Sequence, residues 1–331
     1  MADPSYKLLS VIVPVYNERN TVVEVVRRMR AVELPDGIER EIIVIDDGST
    51  DDTFERLTRV QAEEPRLRII RFRRNFGQTA GFAAGFAHAR GRYIVTMDGD
   101  GQNDPRDIPA MIDMSEQQEL DIVCGWRKDR KDPFINRRLP SIIANRVISY
   151  TTGVRLNDYG CSLKVFRAEV VKPMRLYGEM HRFLPAIASE QGVAIGEKVV
   201  NHRKRLHGKS KYGISRTIRV ILDLMTVKFL ISYSTRPLQM FGGVGFMMGT
   251  LGTIICAWLA YLRLFGNESI GNRPLLLLGI LLILGGVQLL TLGLLAELQS
   301  RAYHESTNKP IYAIREIREA PATRPRQTIG A

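Results

Sequence analysis

Cysteine is scarce in this chain and badly spaced for metal or disulfide chemistry: Cys124, Cys161 and Cys256 include no Cys-x-x-Cys pair, and the last sits inside an apolar run. A zinc knuckle and a disulfide framework are therefore excluded, and a reducing, cytosolic setting fits. No apolar run of signal-sequence length occupies Met1 to Leu9, so the soluble part is expected to stay in the cytoplasm. No Gly-x-Gly-x-x-Gly follows the first predicted strand, which excludes an adenine dinucleotide fold. Internal repeats and low-complexity tracts are missing as well.

What is present divides in two. With 331 residues, 45% of them hydrophobic, the chain can bury a proper core. Its mean hydropathy of -0.09 conceals a charge-rich part, residues 1–236, followed by two nearly uncharged runs between Pro237 and Leu295. Leu238 to Leu262 and Leu275 to Leu295 are each long enough to cross a hydrocarbon layer of ~30 Å. Neither has a polar face, so they predict a transmembrane hairpin rather than buried core helices. Two arginines lie between them, whereas Arg216, Arg219, Lys228 and Arg236 precede them and Arg301, Lys309, Arg315 and Arg318 follow. That bias puts both ends in the cytoplasm. The net charge of +12 could suit nucleic acid, but no nucleic-acid module is recognisable and many basic residues flank the apolar runs, which favours anionic lipid.

Leu9 to Val15, Glu41 to Ile45, Leu67 to Phe72 and Tyr93 to Met97 read as buried strands, with Asp121 to Gly125, Ser162 to Phe166 and Val193 to Val200 completing the sheet. Between the early strands, Val22, Val25, Val26 and Met29 recur at helical spacing, as do Phe54, Leu57 and Val60. Helical stretches are expected over Ile142 to Tyr150 and Val170 to Glu190, and the basic segment Arg127 to Arg138 reads as a loop that closes over phosphates. The alternation predicts a mostly parallel α/β sheet covered by helices on both faces, whose ligands bind beyond the carboxyl ends of the strands. From Ile214, the residues Ile218, Ile221, Leu222, Met225 and Phe229 share a helical face. An ordinary core helix would look the same, but the apolar run that follows favours a helix lying in the membrane interface. The expected organisation is a catalytic domain over residues 1–213, an amphipathic juxtamembrane segment over 214–236, the hairpin over 237–296 and a cytoplasmic tail over 297–331.

Three acidic clusters end three strands of this sheet: Val13-Pro14-Val15-Tyr16-Asn17-Glu18, Asp46-Asp47-Gly48-Ser49-Thr50-Asp51, and Asp98-Gly99-Asp100-Gly101-Gln102-Asn103-Asp104-Pro105. One alone could be a helix cap or a turn, and Ser49 to Asp52 is expected to cap the next helix. Together they suit another purpose. Asp98 and Asp100 can offer oxygens to one hard cation bridging them to a diphosphate, whose phosphates they would otherwise repel.

These motifs, with Arg73-Arg74-Asn75-Phe76-Gly77-Gln78, Asn157-Asp158-Tyr159-Gly160-Cys161-Ser162 and Arg205-x-x-Gly208-x-Ser210-Lys211-Tyr212, resemble inverting glycosyltransferase family 2 over nearly the whole chain. Within it the chain is similar to the bacterial polyisoprenyl-phosphate glycosyltransferases, relatives of dolichyl-phosphate mannose synthase. The resemblance implies a GT-A fold, Rossmann-like, and transfer of a sugar from a nucleotide to undecaprenyl phosphate at the bacterial inner membrane. UDP-glucose is the favoured donor, and a homotetramer is implied. Carried over, Pro14, Tyr16, Glu18 and Asp47 would hold the base and ribose, with Gln78 a neighbour of the nucleotide. Asp98, Asp100 and Gln102 would place Mg2+ or Mn2+, and Arg127, Arg137 or Arg138, Arg205, Ser210 and Lys211 would grip phosphates. Asp158 would be the catalytic base or the carboxylate that orients the acceptor.

A phosphate nucleophile is largely anionic near neutral pH, its second ionisation lying near ~6, so a strong base is optional. The hairpin follows from the acceptor: an isoprenoid leaves the bilayer at a cost of roughly 0.8 kcal/mol per methylene, so the site must come to the head group. A processive polysaccharide synthase is disfavoured by the lack of a Gln-x-x-Arg-Trp motif and by only two spans. A catalytically dead scaffold is disfavoured by intact Asp98, Asp100, Asp158 and Arg205.

Overall fold

The computed structural model describes residues 8–35, 37–128, 145, 146, 148, 149, 152–176, 180–203, 237–266, 274–306 and 310–319. The chain forms two compact units, Met1–Ile218 with Pro310–Ala331, and Arg219–Lys309.

Strands β1 (Leu8–Val15), β2 (Glu39–Asp46), β3 (Leu67–Phe72) and β4 (Tyr93–Thr96) make the parallel heart of the first unit, β1 lying between β4 and β2. β2 is buried throughout Glu41 to Asp46, the mark of a central strand covered on both faces. Around this heart stand β5 (Ile122–Trp126), β6 (Lys164–Arg167), β7 (Ile195–Val199) and β8 (Ile314–Arg318). The sheet order is β7-β5-β6-β4-β1-β2-β3-β8, with β6 antiparallel to both its neighbours and β8 antiparallel to β3.

Helices α1 (Val22–Arg30), α2 (Thr53–Glu63), α3 (Gln78–His88) and α4 (Ile108–Gln117) cover the two faces. Val11, Val13 and Val15 of β1 pack in one core cluster with Val26 of α1, Leu57 of α2 and Met111 of α4. The alternate β1 residues meet α3 on the other face. A Cβ on Gly81 would stand 2.8 Å from that of Pro14, and one on Gly85 would collide with Ile12, so the small residues let this helix lie almost on the sheet.

Several expectations need correction. Val170 to Glu190 is no single helix: it breaks into α5 (Ala168–Val171), a 3-10 turn at Met180–Arg182 and α6 (Leu184–Ala188), and Pro173 follows the first piece. Val193 to Val200 forms β7 at one edge of the sheet, as expected, but the opposite edge is closed by a strand the sequence did not suggest. That strand is β8, which arrives after the apolar helices and pairs Ile70 with Ile317 and Arg71 with Glu316. Of Ile142 to Tyr150, the described residues Asn145, Arg146, Ile148 and Ser149 are helical. The amphipathic segment 214–236 lies outside the described residues.

β8 is fixed by charge as well as by its ladder. Arg68 is buried at 3% exposure, and its guanidinium reaches Glu41 at 3.3 Å and Glu319 at 3.0 Å. Arg71 stands 3.4 Å from the fully buried Asp46 and 3.7 Å from Glu316. Gln61 donates to the carbonyls of Arg318 and Glu319.

The second unit holds α7 (Pro237–Phe265) and α8 (Pro274–Ser306), whose segments Phe241–Phe265 and Pro274–Leu295 are long and apolar enough to cross a membrane. They run antiparallel through glycine contacts: a Cβ on Gly245 would meet the Gly286 carbonyl at 2.6 Å, and one on Gly252 that of Gly279 at the same distance. Small residues at sevenfold spacing thus bring the two backbones together. Large apolar side chains such as Leu264 and Phe265 remain 76% and 78% exposed.

Deleting Ile314–Glu319 strips a partner from buried Arg68 and opens the β3 edge. The expected loss is about 2 kcal/mol, discounted because Glu319 is itself exposed, read as a Tm lower by several degrees in detergent. An unchanged Tm would mean that β8 adds nothing to the sheet.

Candidate active site

The parallel register sets β1, β2 and β4 side by side, with Val15 opposite Asp46 and Ile12 opposite Thr96, so their following loops emerge together. Those loops are tied to one another. The Asn17 amide donates to Ser49 Oγ at 3.0 Å, and Asn17 Oδ1 accepts from the Thr50 amide at 2.9 Å. Asn17 sits at φ 57°, a left-handed setting that asparagine tolerates better than most residues. Thr21, hydrogen-bonded to Glu18 at 2.6 Å, also reaches the Gly99 carbonyl at 3.0 Å and so joins the first loop to the third. Tyr16 is 44% exposed beside them, whereas the Pro14 ring is turned to α3.

In the second loop the paired aspartates have separate partners. Asp46 Oδ1 accepts from the Ser49 amide at 2.9 Å; Asp47 accepts from the amides of Phe76 and Gly77 at 2.7 and 2.9 Å. Burial raises both carboxyls above the ordinary range. Gly48 between this pair and Ser49 has φ +69°, and a Cβ there would lie 2.5 Å from the Arg74 backbone, so only glycine fits. The expected capping is done by Asp51, whose Oδ1 accepts from the Thr53 amide at 3.0 Å.

The third loop carries the paired carboxylates. Gln78 Nε2 donates to Asp98 Oδ1 at 2.6 Å, and the neighbouring Ser162 hydroxyl donates to Asn103 Oδ1 at 3.1 Å. Asp98 is raised from its usual pKa by burial and then by the charge of Asp100. Gly99 keeps the two together, since a Cβ would strike Val15 of β1. Gln102 gives its amide N–H to Asp100 Oδ1 at 3.1 Å, while its side-chain nitrogen turns to the Arg203 carbonyl at 3.4 Å. Among the described residues no three His, Cys, Asp or Glu side chains cluster for a metal ion. Two neighbouring carboxylates that repel each other in a recess still fit one hard cation, provided that phosphate oxygens and water supply its other ligands.

Asp104 serves the scaffold instead. Arg106 and Arg203 bond it at 2.7 and 2.9 Å, and these hydrogen bonds, Arg106 first, hold its carboxyl well below the ordinary range despite burial. The Arg203 amide donates to the Gln102 carbonyl at 2.9 Å, which seats the chain just before Arg205 beside the third loop.

Arg127 and Asp158 are brought together. The guanidinium forks onto the carboxylate at 2.7 and 2.9 Å, and the Arg127 amide adds a third bond at 3.2 Å. Although burial works to lower it, the Arg127 pKa is raised by Asp158, and further by Asp98. The Asp158 loop is pinned from behind: its amide donates to Glu197 at 2.9 Å, and buried Lys164 bonds the carbonyls of Tyr159 and Cys161. Arg137, Arg138, Arg205, Ser210 and Lys211 lie outside the described residues. Sequence reasoning missed Ser162, Lys164 and Arg203. Ser162 closes a motif already noted, but a lysine at the start of a strand and an arginine after one carry no local signal.

Two outcomes follow. Asp98→Asn removes a carboxylate whose raised pKa destabilises the charged fold at neutral pH, a penalty that fades as pH falls through that pKa. The variant is expected to melt a few degrees above wild type at pH 7, with the gap closing towards pH 4; an equal or lower Tm at pH 7 contradicts the charge argument. Arg127→Lys keeps the charge but loses the fork, so turnover is expected to drop about 10–100-fold through misplacement of Asp158, with wild-type kinetics as the contrary result.

A model of glycosyl transferase family 2 matches residues 10–174. A dodecaprenyl-phosphate galacturonate synthase of Rhizobium johnstonii is 47% identical over 95% of this chain and 94% of its own length. An undecaprenyl-phosphate 4-deoxy-4-formamido-L-arabinose transferase of Pseudomonas syringae pv. syringae is 36% identical over 94% of this chain and 91% of its own. Glucosyl-3-phosphoglycerate synthase from Mycobacterium tuberculosis, solved with Mn2+ and UDP-glucose, aligns with a TM-score of 0.52 at 17% identity, over 69% of this chain and 81% of that one. This last likeness is one of fold, the GT-A fold.

Proposed function

Because the chain belongs to glycosyl transferase family 2, among the bacterial polyprenyl-phosphate glycosyltransferases, we propose that it moves one hexuronic acid from a nucleotide donor to a polyprenyl phosphate. The observation that carries this reading is the Asp98–Asp100 pair, set on a loop joined to those after β1 and β2 in a chain 47% identical to a galacturonate synthase. Galacturonate is ranked ahead of the glucose expected from sequence because neither polyprenyl-phosphate relative is named for glucose.

In this reading Tyr16, Glu18 and Asp47 hold base and ribose, while Pro14 sets the loop against α3 rather than touching the nucleotide. Asp98 and Asp100, with Gln102 beside them, hold Mg2+ or Mn2+, and the fold likeness to a Mn2+ and UDP-glucose complex agrees with a divalent ion. Such an ion would neutralise the departing diphosphate. Arg127, Arg137 or Arg138, Arg205, Ser210 and Lys211 share the phosphates of donor and acceptor. The acceptor phosphate attacks as an anion, so Asp158, fastened to Arg127, orients it and need not remove a proton.

The membrane reading gains support from β8. Residues before and after the apolar helices build one sheet, which requires an even number of crossings. In this reading the bias of the flanking basic residues favours the cytoplasmic side for that sheet and both termini, with two spans in the inner membrane.

The test is product formation by purified protein in detergent with undecaprenyl phosphate and either UDP-galacturonate or UDP-glucose, plus Mg2+ or Mn2+. A lipid-linked uronate is expected, lost by about 10³-fold or more when Asp98 and Asp100 are both replaced by alanine. Glucose transfer alone overturns the choice of sugar, and transfer that survives the double substitution or thorough chelation overturns the site.

A further inference from the structure

We propose that His181 is a positioning residue for the cation-holding carboxylate: through Thr79 it latches the first turn of α3 in the setting that keeps Gln78 on Asp98. This rests on the role given to Asp98 above and extends it to a residue with no place in any motif of the sequence.

The first turn of α3 is held by three consecutive residues. Gly77 gives its amide to Asp47 at 2.9 Å, Gln78 its side chain to Asp98 at 2.6 Å, and Thr79 Oγ1 meets His181 Nδ1 at 2.8 Å. They reach, in turn, the end of β2, the end of β4 and the 3-10 turn at Met180–Arg182. Packing holds Ala80 and Gly81 against the sheet but does little for the residue before the helix: Gly77 has φ +92°, and a Cβ there would touch nothing within 4 Å. The setting of Gly77 and of the Gln78 side chain is therefore left to hydrogen bonds. Thr79 is buried at 4% exposure, and its contact is the one among the three that leaves the acidic loops altogether.

The imidazole is set up for this task. Arg182 Nε, which can only donate, points at His181 Nε2 at 3.4 Å, so that nitrogen accepts and the proton resides on Nδ1. Nδ1–H accordingly donates to Thr79. The ring also lies against Phe82 of α3, 6.5 Å between centroids. Burial, followed by the charges of Arg182 and Lys164, pushes its pKa down to about 3, so the neutral tautomer that makes the bond is the resident form at neutral pH. Gln78 has several rotatable bonds and no partner but Asp98 among the hydrogen bonds seen. A turn that shifts at Thr79 would let its amide swing away and leave Asp98 to relax from the geometry it shares with Asp100.

The experiment is Mn2+ uptake by the full chain in detergent with UDP present to supply phosphate oxygens, followed as loss of the free-ion EPR signal beyond that of a protein-free UDP control. His181→Phe, which keeps the ring and loses the donor, is expected to weaken Mn2+ binding about tenfold, the scale of losing an outer-shell partner. Thr79→Val should do the same from the other side of the contact, and the double variant should be no worse than either alone. His181→Asn, whose amide can stand where Nδ1 stood, should restore wild-type affinity. Wild-type Mn2+ binding in both His181→Phe and Thr79→Val overturns the latch, as does a double variant in which the two losses add. Asp98→Asn separates the two levels of the argument. If it abolishes uptake while the latch variants bind normally, the latch alone fails; if it too binds Mn2+ as wild type does, the reading of Asp98 fails first.

Discussion

Negative charge gathered where three parallel strands end is the constraint around which the catalytic unit is arranged. Asp46, Asp47, Asp98 and Asp100 stand on adjoining loops, and for three of them burial makes ionisation costly. The fold does not remove that strain; it parcels it out. Asp46 has Arg71 and a backbone amide, and Asp47 has two amides at the mouth of α3. Among the described residues Asp98 is hydrogen-bonded by the neutral amide of Gln78, with the charge of Arg127 acting only at longer range, and so keeps its appetite for positive charge. The contrast with Asp104 is instructive, because two arginines satisfy it in full and leave it nothing to offer a ligand.

A second pairing follows the same logic with opposite sign. Arg127 and Asp158 cancel each other in a bidentate contact beside the acidic loops, so a phosphate arriving there would meet a guanidinium already aimed by its carboxylate. Lys164 and Glu197 brace the loop from behind through backbone atoms, a division of labour in which some charges face the cleft and others hold its wall.

Much of this was legible in the chain itself, for physical reasons. β1 to β4 are buried on both faces and read as short apolar runs, and the acidic motifs after β1, β2 and β4 are each contiguous in sequence, so the sheet and the Asp98–Asp100 pair were both visible. α3 was not anticipated because Ala80, Gly81, Phe82, Ala84 and Gly85 are apolar or small nearly all the way round, which erases the periodicity that marked α1. β8 was missed because Ile314-Arg315-Glu316-Ile317-Arg318 is short, charged and meaningful only opposite β3, more than 240 residues earlier. Separations of 102 and 101 residues likewise hide His181 from Thr79 and Arg203 from Gln102. Pairings of that range are decided by topology, which no local window contains.

The late arrival of β8 has a consequence for biogenesis. Every other strand of its sheet leaves the ribosome before α7 and α8, so a nascent chain exposes the outer edge of β3 until both helices have been made. In a chain that crosses the bilayer twice, a mis-inserted helix would strand Ile314 to Arg318 on the wrong side, and that edge would stay bare for chaperone or protease. Under that topology, closure of the sheet would report that both helices had been correctly inserted.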